Sequence, residues 1–341
     1  MNWITNVSSV YLTEIAGVKR PKILLVTMPG MWDMTPTDLA PLRIHADVDV
    51  VETKHITETQ LAQKCAGYDW LMLNMDPLPF PDPNRMEKLT SVFYNHPGIM
   101  GLKGINVDMT DADFFSPQLA RAKGILIQDS PNTTTESVAE SALTEILLHV
   151  RGRHAAYTGG ETCRKNTDLK GKIGGVIGYG HIGSRVADFM RALGMNVLVY
   201  DIKKTVNTPV TPIEKIFKTA DVISIHIPAH LPAQDQTKQH TSNVGFIGKN
   251  LLELCKGTVL INLATDIIVE QSGLEYALQH KCITGYSVEP GRDITKRLEK
   301  YPEVHISPCS YDSTESRQNI KRVWINNMLT AIHGTPQNAW N

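Results

Sequence analysis

The sequence predicts an α/β protein built on doubly wound parallel sheets, in about two domains. Three observations carry this. Short apolar runs alternate along the chain with stretches of helical periodicity, the pattern of βαβ units. One run enters a Gly-x-Gly-x-x-Gly turn that opens directly into a helix. The 341 residues also exceed a single domain of about 150 residues.

The elements follow in order. Lys22–Met28 reads as a first strand, closed by Pro29 and Gly30. Val48–Glu52 and Trp70–Asn74 are the next two. The stretch from Asp76 to Asn84 holds prolines at 77, 79, 81 and 83, which makes it an irregular loop after a strand end. Ligands of open α/β sheets sit at such carboxyl ends, so this loop either touches substrate or is plain surface. Gly98–Val107 and Gly124–Gln128 are further strand-like runs. From Glu136 to Val150, residues Val138, Ala142, Ile146, Leu147 and Val150 recur at helical spacing. After the polar, basic stretch Arg151–Lys172, strands are expected near 173–178, 195–200, 221–227, 258–263, 283–288 and 303–307, with helices between them. The polar segment His230–Asn243 reads as a loop or insertion.

Composition narrows the function classes. Apolar residues make up 42% of the chain, an ordinary globular value. The 34 basic and 35 acidic side chains give a net charge of −1, without the basic excess of a nucleic-acid binder. No apolar run approaches the roughly 18 residues that span a bilayer. The N-terminus has no basic segment followed by an apolar core, so no secretory signal is expected. Five cysteines, at 65, 163, 255, 282 and 309, are odd in number, widely spaced and without a Cys-x-x-Cys pair. They read as reduced thiols of a cytoplasmic protein, mostly buried fillers, with no metal site.

The glycine motif carries a mechanism. Gly174–Ile177 is a buried strand that runs into Gly178-Tyr-Gly180-His-Ile-Gly183, and Ser184–Met190 continues as a helix. Gly178 permits the tight turn, Gly180 lets a pyrophosphate approach the backbone, and Gly183 lets helix and strand pack closely. The helix N-terminus offers free N–H groups and partial positive charge to phosphates. The next strand, Asn196–Tyr200, ends in Asp201, whose carboxylate can accept from an adenosine ribose diol and repel a 2′-phosphate. NAD is therefore expected over NADP, although Lys203 and Lys204 follow closely.

With these residues in view, the sequence resembles the D-isomer-specific 2-hydroxyacid dehydrogenases, nearest their D-lactate dehydrogenase branch. The resemblance runs from about Lys22 to Gly334. It rests on the glycine turn, on Ala220–Pro228, Leu260–Ala264, Lys281–Tyr286 and His305–Pro308, and on Leu102–Asp108 and Ser137–Ala142 at the crossover. It implies two Rossmann-like or flavodoxin-like doubly wound parallel-sheet domains with a cleft between them. One is a substrate domain, 20–108 plus 310–341, and the other an NAD-binding domain, 109–309. A homodimer joined through the cofactor domains is also implied. By position, His181 and Ile182 face the pyrophosphate, and Asp201 faces the ribose. Ile227 and Pro228 line the adenine side. Leu263, Ala264 and Thr265 run beside the nicotinamide, and Glu289 stands where the family has an Asp near the carboxamide.

The resemblance breaks at the chemistry. An arginine that clamps the substrate carboxylate is replaced by Thr265, and the acid–base histidine by Cys309. The carboxylate partner of that histidine falls near Asp293 or Ile294. Arg292 and Lys103 are candidate substitute cations, although each reads first as a solvated surface residue. Cys309 reads as a thiol donor or a small filler, His305 as a buried structural histidine, and Tyr311 and Asp312 as polar groups near the cleft. Catalytic positions are thus Thr265, Cys309 and Glu289. The expected function is an NAD-dependent oxidoreductase with an atypical site and a non-standard small substrate such as an imine. The alternative is a catalytically silent NAD(H)-binding regulator or sensor.

Overall fold

Alternation within the first apolar run decides how the first sheet is covered. Strand β1 (Lys22–Thr27) turns Ile23 and Leu25 to one face and Leu24 and Val26 to the other, and all four are buried. A strand that is apolar on both faces needs a layer on each side, which crossover helices supply. The computed structural model describes residues 19–340 apart from 32, 75, 79–87, 110–111, 155–165, 204–207, 230–241, 290–296, 299 and 308–309. It places β2 (Asp47–Glu52), β3 (Trp70–Leu73), β4 (Gly104–Val107) and β5 (Leu126–Gln128) in one parallel sheet with β1, in the order β2-β1-β3-β4-β5. This is the flavodoxin-like order.

Helices α1 (Pro36–His45), α2 (Glu58–Lys64), α3 (Ser91–Tyr94) and α4 (Pro117–Ala122) lie within this unit. Helices α1 and α2 both start at a threonine capping box, Thr35 with Asp38 and Thr57 with Gln60, which satisfies free N–H groups of the first turn. Helix α5 (Thr135–Val150) leads into the second sheet. There β6 (Ile173–Ile177), α6 (His181–Ala192), β7 (Asn196–Tyr200), α7 (Ile213–Thr219), β8 (Val222–Ile225), α8 (Lys249–Leu252), β9 (Thr258–Asn262), α9 (Gln271–Gln279), β10 (Ile283–Val288) and β11 (Val304–Ile306) follow. The sheet order is β11-β10-β9-β8-β6-β7, all parallel. Helices α5 and α6 cover one face, through Val138, Ile146, Val186 and Met190, while α7, α8 and α9 cover the other.

The last helix, α10 (Thr314–Ile332), returns to the first sheet. Its Trp324 is fully buried there and exchanges two hydrogen bonds with Asn106 of β4. The indole N–H donates to the Asn106 carbonyl at 2.9 Å, and the Asn106 amide donates to the Trp324 carbonyl at 2.7 Å. Both ends of the chain therefore build one unit, and the middle builds the other.

Three expectations change. Gly98–Val107 is not one strand. Its start is a 3-10 turn (Pro97–Ile99), because the His96 ring accepts from the Gly98 N–H at 2.9 Å and Gly101 turns the chain at φ +92°. A boundary at 108 also falls inside the first sheet, since β5 pairs with β4 and the sheet ends at Gln128. Leu147, counted with the apolar stripe of α5, is 37% exposed. Among the described residues no helix is long and apolar enough to cross a membrane.

Candidate cofactor and substrate site

The strand order of the second sheet reverses at β6, so its crevice opens between the carboxyl ends of β6 and β8. The glycine turn lies there. Gly178 has φ +92°, and a Cβ on it would lie 2.5 Å from the His226 carbonyl oxygen and 2.7 Å from Cγ2 of Ile227. A Cβ on Gly183 would lie 1.9 Å from the Gly178 carbonyl oxygen. Gly180 differs, because a Cβ there meets nothing within 4 Å. Two glycines thus let protein pack on protein, and the middle one faces open space. Gly180 is the N-cap of α6 and offers its first-turn N–H groups no side-chain acceptor. Open backbone beside an uncapped helix start fits a dinucleotide pyrophosphate.

Asp201 follows β7 and is tied to this turn. Its Oδ2 accepts from the Tyr179 N–H at 2.7 Å, and its Oδ1 accepts from the Lys203 N–H at 2.7 Å. Each carboxylate oxygen keeps a second acceptor position for a ribose hydroxyl. Ile227 stands beside Gly178. Pro228 is exposed, and its carbonyl accepts from the Asn243 amide at 2.8 Å. His226 shares a 2.8 Å hydrogen bond with Ser224, and burial lowers its pKa to about 4. His181 is exposed at the helix start, and Ile182 is half-buried against the α5–α6 core.

The substrate end is built after β9 and β10. Asn262 braces the first turn. Its amide donates to the Thr265 carbonyl at 2.9 Å, and its oxygen accepts from the Ala264 N–H at 3.3 Å. Leu263 is buried in the core, Ala264 is exposed and Thr265 is half-buried. Glu289 continues β10, with its N–H on the Asn262 carbonyl at 3.3 Å. Its Oε1 accepts from the Ser310 N–H at 3.1 Å and its Oε2 from the Ser310 hydroxyl at 2.9 Å. Burial raises the Glu289 carboxyl above the usual range, against the pull of those two bonds.

Lys204, Arg292, Asp293, Ile294 and Cys309 lie outside the described residues. Lys103 is not a substitute clamp. It precedes β4, at the amino ends of the strands, and pairs there with Asp69 at 3.0 Å. Asp312 is taken by Arg317 in the first turn of α10, which holds its carboxyl below the usual range.

A polar seam along α5 escaped sequence reasoning. Ser137, Ser141, Glu145 and His149 recur every four residues, on one side of the helix. The Ser137 and Ser313 hydroxyls lie 2.8 Å apart, and the Ser141 hydroxyl donates to the Ser310 carbonyl at 2.9 Å. Buried Glu145 meets the Ser287 hydroxyl at 2.6 Å and Nδ1 of His305 at 2.7 Å. His149 reaches the same Ser287 hydroxyl at 2.9 Å. His305 is therefore a hydrogen-bonded histidine within β11, as expected, but it is half-buried rather than buried. The signal was the four-residue repeat, which continues into a face that is otherwise apolar.

Among the described residues, no group of three or more His, Cys, Asp or Glu side chains is arranged to hold a metal ion. A groove of 1070 Å³ lies between α1 and α10, lined by Thr35, Asp38, Arg317, Lys321 and Leu329, away from the glycine turn.

Comparison with known proteins agrees with this geometry. The NAD binding domain of the D-isomer specific 2-hydroxyacid dehydrogenases matches residues 143–308. The D-3-phosphoglycerate dehydrogenase of Haemophilus influenzae is 31% identical over 220 residues, 59% of this chain and 52% of that enzyme. The chain spans about half the length of the curated relatives it matches. Among solved structures, an acyclic imino acid reductase in complex with NADPH and D-Arg superposes with a TM-score of 0.77 at 18% identity, covering 93% of this chain and 99% of that one. The D-lactate dehydrogenase of Aquifex aeolicus, complexed with NAD and lactic acid, gives 0.73 at 21%, covering 92% and 96%. At these identities the structural likeness speaks for the fold, and a D-lactate branch is not singled out. Residues 143–308, just under half of the chain, match the NAD binding domain of the D-isomer specific 2-hydroxyacid dehydrogenase family.

Proposed function

We propose that the protein is an NAD(H)-dependent oxidoreductase acting on a small substrate that needs no clamp on a 2-hydroxy carboxylate. One contrast carries the reading. The glycine cradle and Asp201 are complete, while Thr265 stands where the family pattern has its arginine. Gly180 and the first turn of α6 would hold the pyrophosphate, Asp201 would hold the ribose, and Ala264 and Thr265 would border the nicotinamide. When bound, NADH supplies a hydride. A neutral threonine cannot pair bidentately with a carboxylate, so a 2-keto acid is poorly oriented. An iminium substrate would need neither the carboxylate clamp nor a proton donor, because hydride from the cofactor would form the new C–H bond while the C=N π pair returned to nitrogen. The imino acid reductase of similar fold supports this class as one the architecture accommodates.

The first-sheet unit then forms the substrate side of the cleft and the second-sheet unit the cofactor side. The free thiols Cys65, Cys255 and Cys282 support a reducing, cytoplasmic setting. We also propose a homodimer through the cofactor units, where α5 leaves Leu147 exposed. Light scattering at micromolar concentration should return twice 37.9 kDa, and a monomer mass contradicts it.

The second reading, an NAD(H) sensor without turnover, draws on neutral Thr265 and on a Glu289 already engaged by Ser310. One experiment separates the two. Purified protein with NADH is offered 2-keto acids, aldehydes and preformed imines, and absorbance loss is followed. Imine reduction with little pyruvate reduction is expected. Turnover of 2-keto acids at about 10 per second would overturn the atypical-site reading, and NADH binding without any turnover would favour the sensor.

A further inference from the structure

We infer that the carboxyl end of the first sheet selects a substrate that carries a positive charge, through Asp76 and Thr27 set in a row with Asn74 and Asp108. This deepens the oxidoreductase reading above and rests on it. Register builds the row. Val26 of β1 lies beside Leu73 of β3, and Leu73 beside Val107 of β4. The next residues, Thr27, Asn74 and Asp108, therefore stand level with one another at the strand ends. They also share a face. Val26, Leu73 and Val107 pack into the cluster on one side of the sheet, so the residues after them turn to the other side, where α10 lies.

Asn74 organises the row. Its amide donates to the Asp108 carboxylate and, at 3.1 Å, to Oδ2 of Asp76, while its oxygen accepts from the Met28 N–H at 3.3 Å. Both of its donors are spent inside the row, so what faces a ligand is acceptors. Thr27 is 2% exposed, and its hydroxyl has no hydrogen-bond partner, an unmade bond that a ligand would complete. Asp76 is exposed on a backbone that is held, because the Pro77 carbonyl accepts from the Ile56 N–H at 2.9 Å and Leu78 is buried. A carboxylate only accepts and adds negative charge, so the group that suits it is a donor-bearing cation such as an ammonium or iminium.

The row lies at the junction of the units. Both crossings between them leave from the carboxyl ends of strands, after β5 and after β11, and they meet where the Ser137 and Ser313 hydroxyls lie 2.8 Å apart. The carboxyl ends of both sheets thus open onto one junction. On its cofactor side stands Thr265, which supplies no charge. The proline-rich stretch that begins at Asp76 then meets substrate at its first residue.

The test uses four-carbon probes that differ in the charge at their ends: putrescine, aminobutanol, butanediol and succinate. Each is titrated by calorimetry into the full chain loaded with NADH. Putrescine and aminobutanol should bind, and butanediol and succinate should not. Asp76→Asn should weaken putrescine about tenfold, the loss of one charge-assisted bond. Thr27→Val should weaken it about threefold while the melting temperature holds or rises, since the variant removes an unmade hydrogen bond. A merely structural threonine would leave affinity alone. Glu253→Gln, which neutralises an exposed acid at the end of α8, should bind putrescine as wild type does. NADH affinity should hold in every variant.

Equal binding of putrescine and butanediol overturns the row, as does the failure of both amines to bind at tens of millimolar. Equal losses in Asp76→Asn and Glu253→Gln mark general attraction to negative charge and overturn it too. Should Thr27→Val not fold, Asp76→Asn at an exposed position carries the prediction. Binding needs no turnover, so the two readings fail separately. Amine binding without imine reduction would leave the row and remove the oxidoreductase, and imine reduction without charge preference would do the reverse.

Discussion

A methyl group on Gly180 would meet nothing within 4 Å, whereas one on Gly183 would press to 1.9 Å against the Gly178 carbonyl oxygen. The two alanine variants should therefore fail differently. Gly180 has φ −80°, which alanine adopts without strain, so Gly180→Ala should keep its melting temperature while NADH affinity falls. Gly183→Ala should lose roughly 1–3 kcal/mol or more of stability by overpacking, and binding with it. Thermal melts beside fluorescence titration check both, and equal melting temperatures for the two variants would contradict the assignment. These roles were legible because the spacing of a glycine turn encodes its contacts locally. Asp201 was legible for the same reason, as the residue that ends the next strand. Glu289 stood out by its place in the chain, but its bonds to Ser310 did not. Ser310 is 21 residues away, and only the β10–β11 pairing brings the two together.

At the scale of the element, α5 was predicted within one residue of its start, and its buried face was read from Val138, Ala142, Ile146 and Val150. Its polar seam was not, because a Glu and a His on a helix read as solvated until a sheet lies against them. There the His149, His154 and His305 rings follow one another at 5.1 Å, and Glu145 bonds to His305. Burial lowers His149 to about 4, with the neighbouring His154 adding to it. Burial also lowers His154. Burial pushes Glu145 up, but hydrogen bonds from His305, Ser287 and Ser307 outweigh it and hold the carboxyl below its usual range. The sign follows from which state takes up protons. Below an ordinary histidine value of about 6.5, the unfolded chain protonates first, so stability falls with pH. The fall reaches up to about 1.4 kcal/mol per pH unit for each proton. Stability should be full above pH 6.5 and decline toward pH 4, where Glu145 protonation adds a further loss. Urea titrations across this range should show the decline, and His149→Gln should flatten it. An unchanged slope in that variant would remove His149 from the account.

For the whole molecule, both sheets have the same start to their order, and each has its own apolar clusters on its two faces. The division into two units was legible from length and rhythm. The place of division was not, because β5 is three residues long and nothing local says that it pairs with β4 rather than opening the next sheet. Among the described residues, Tyr311 packs against a cluster of each unit, the Ser137–Ser313 contact links the helix under the second sheet to the helix under the first, and Ser310 bonds to Ser141 and Glu289. Each neutral hydrogen bond of this kind is worth about 1 kcal/mol, little against a unit's own core. The two units should therefore unfold as separate transitions in scanning calorimetry. NADH binds one of them. At a hundredfold excess over Kd it stabilises that unit by about 2.7 kcal/mol, which for 150–250 residues is roughly 5–10 °C. One transition should move by that amount and the other stay in place. A single peak that shifts as a whole would mean that the junction couples the units far more strongly than its contacts suggest, and Tyr311→Ala should then split it.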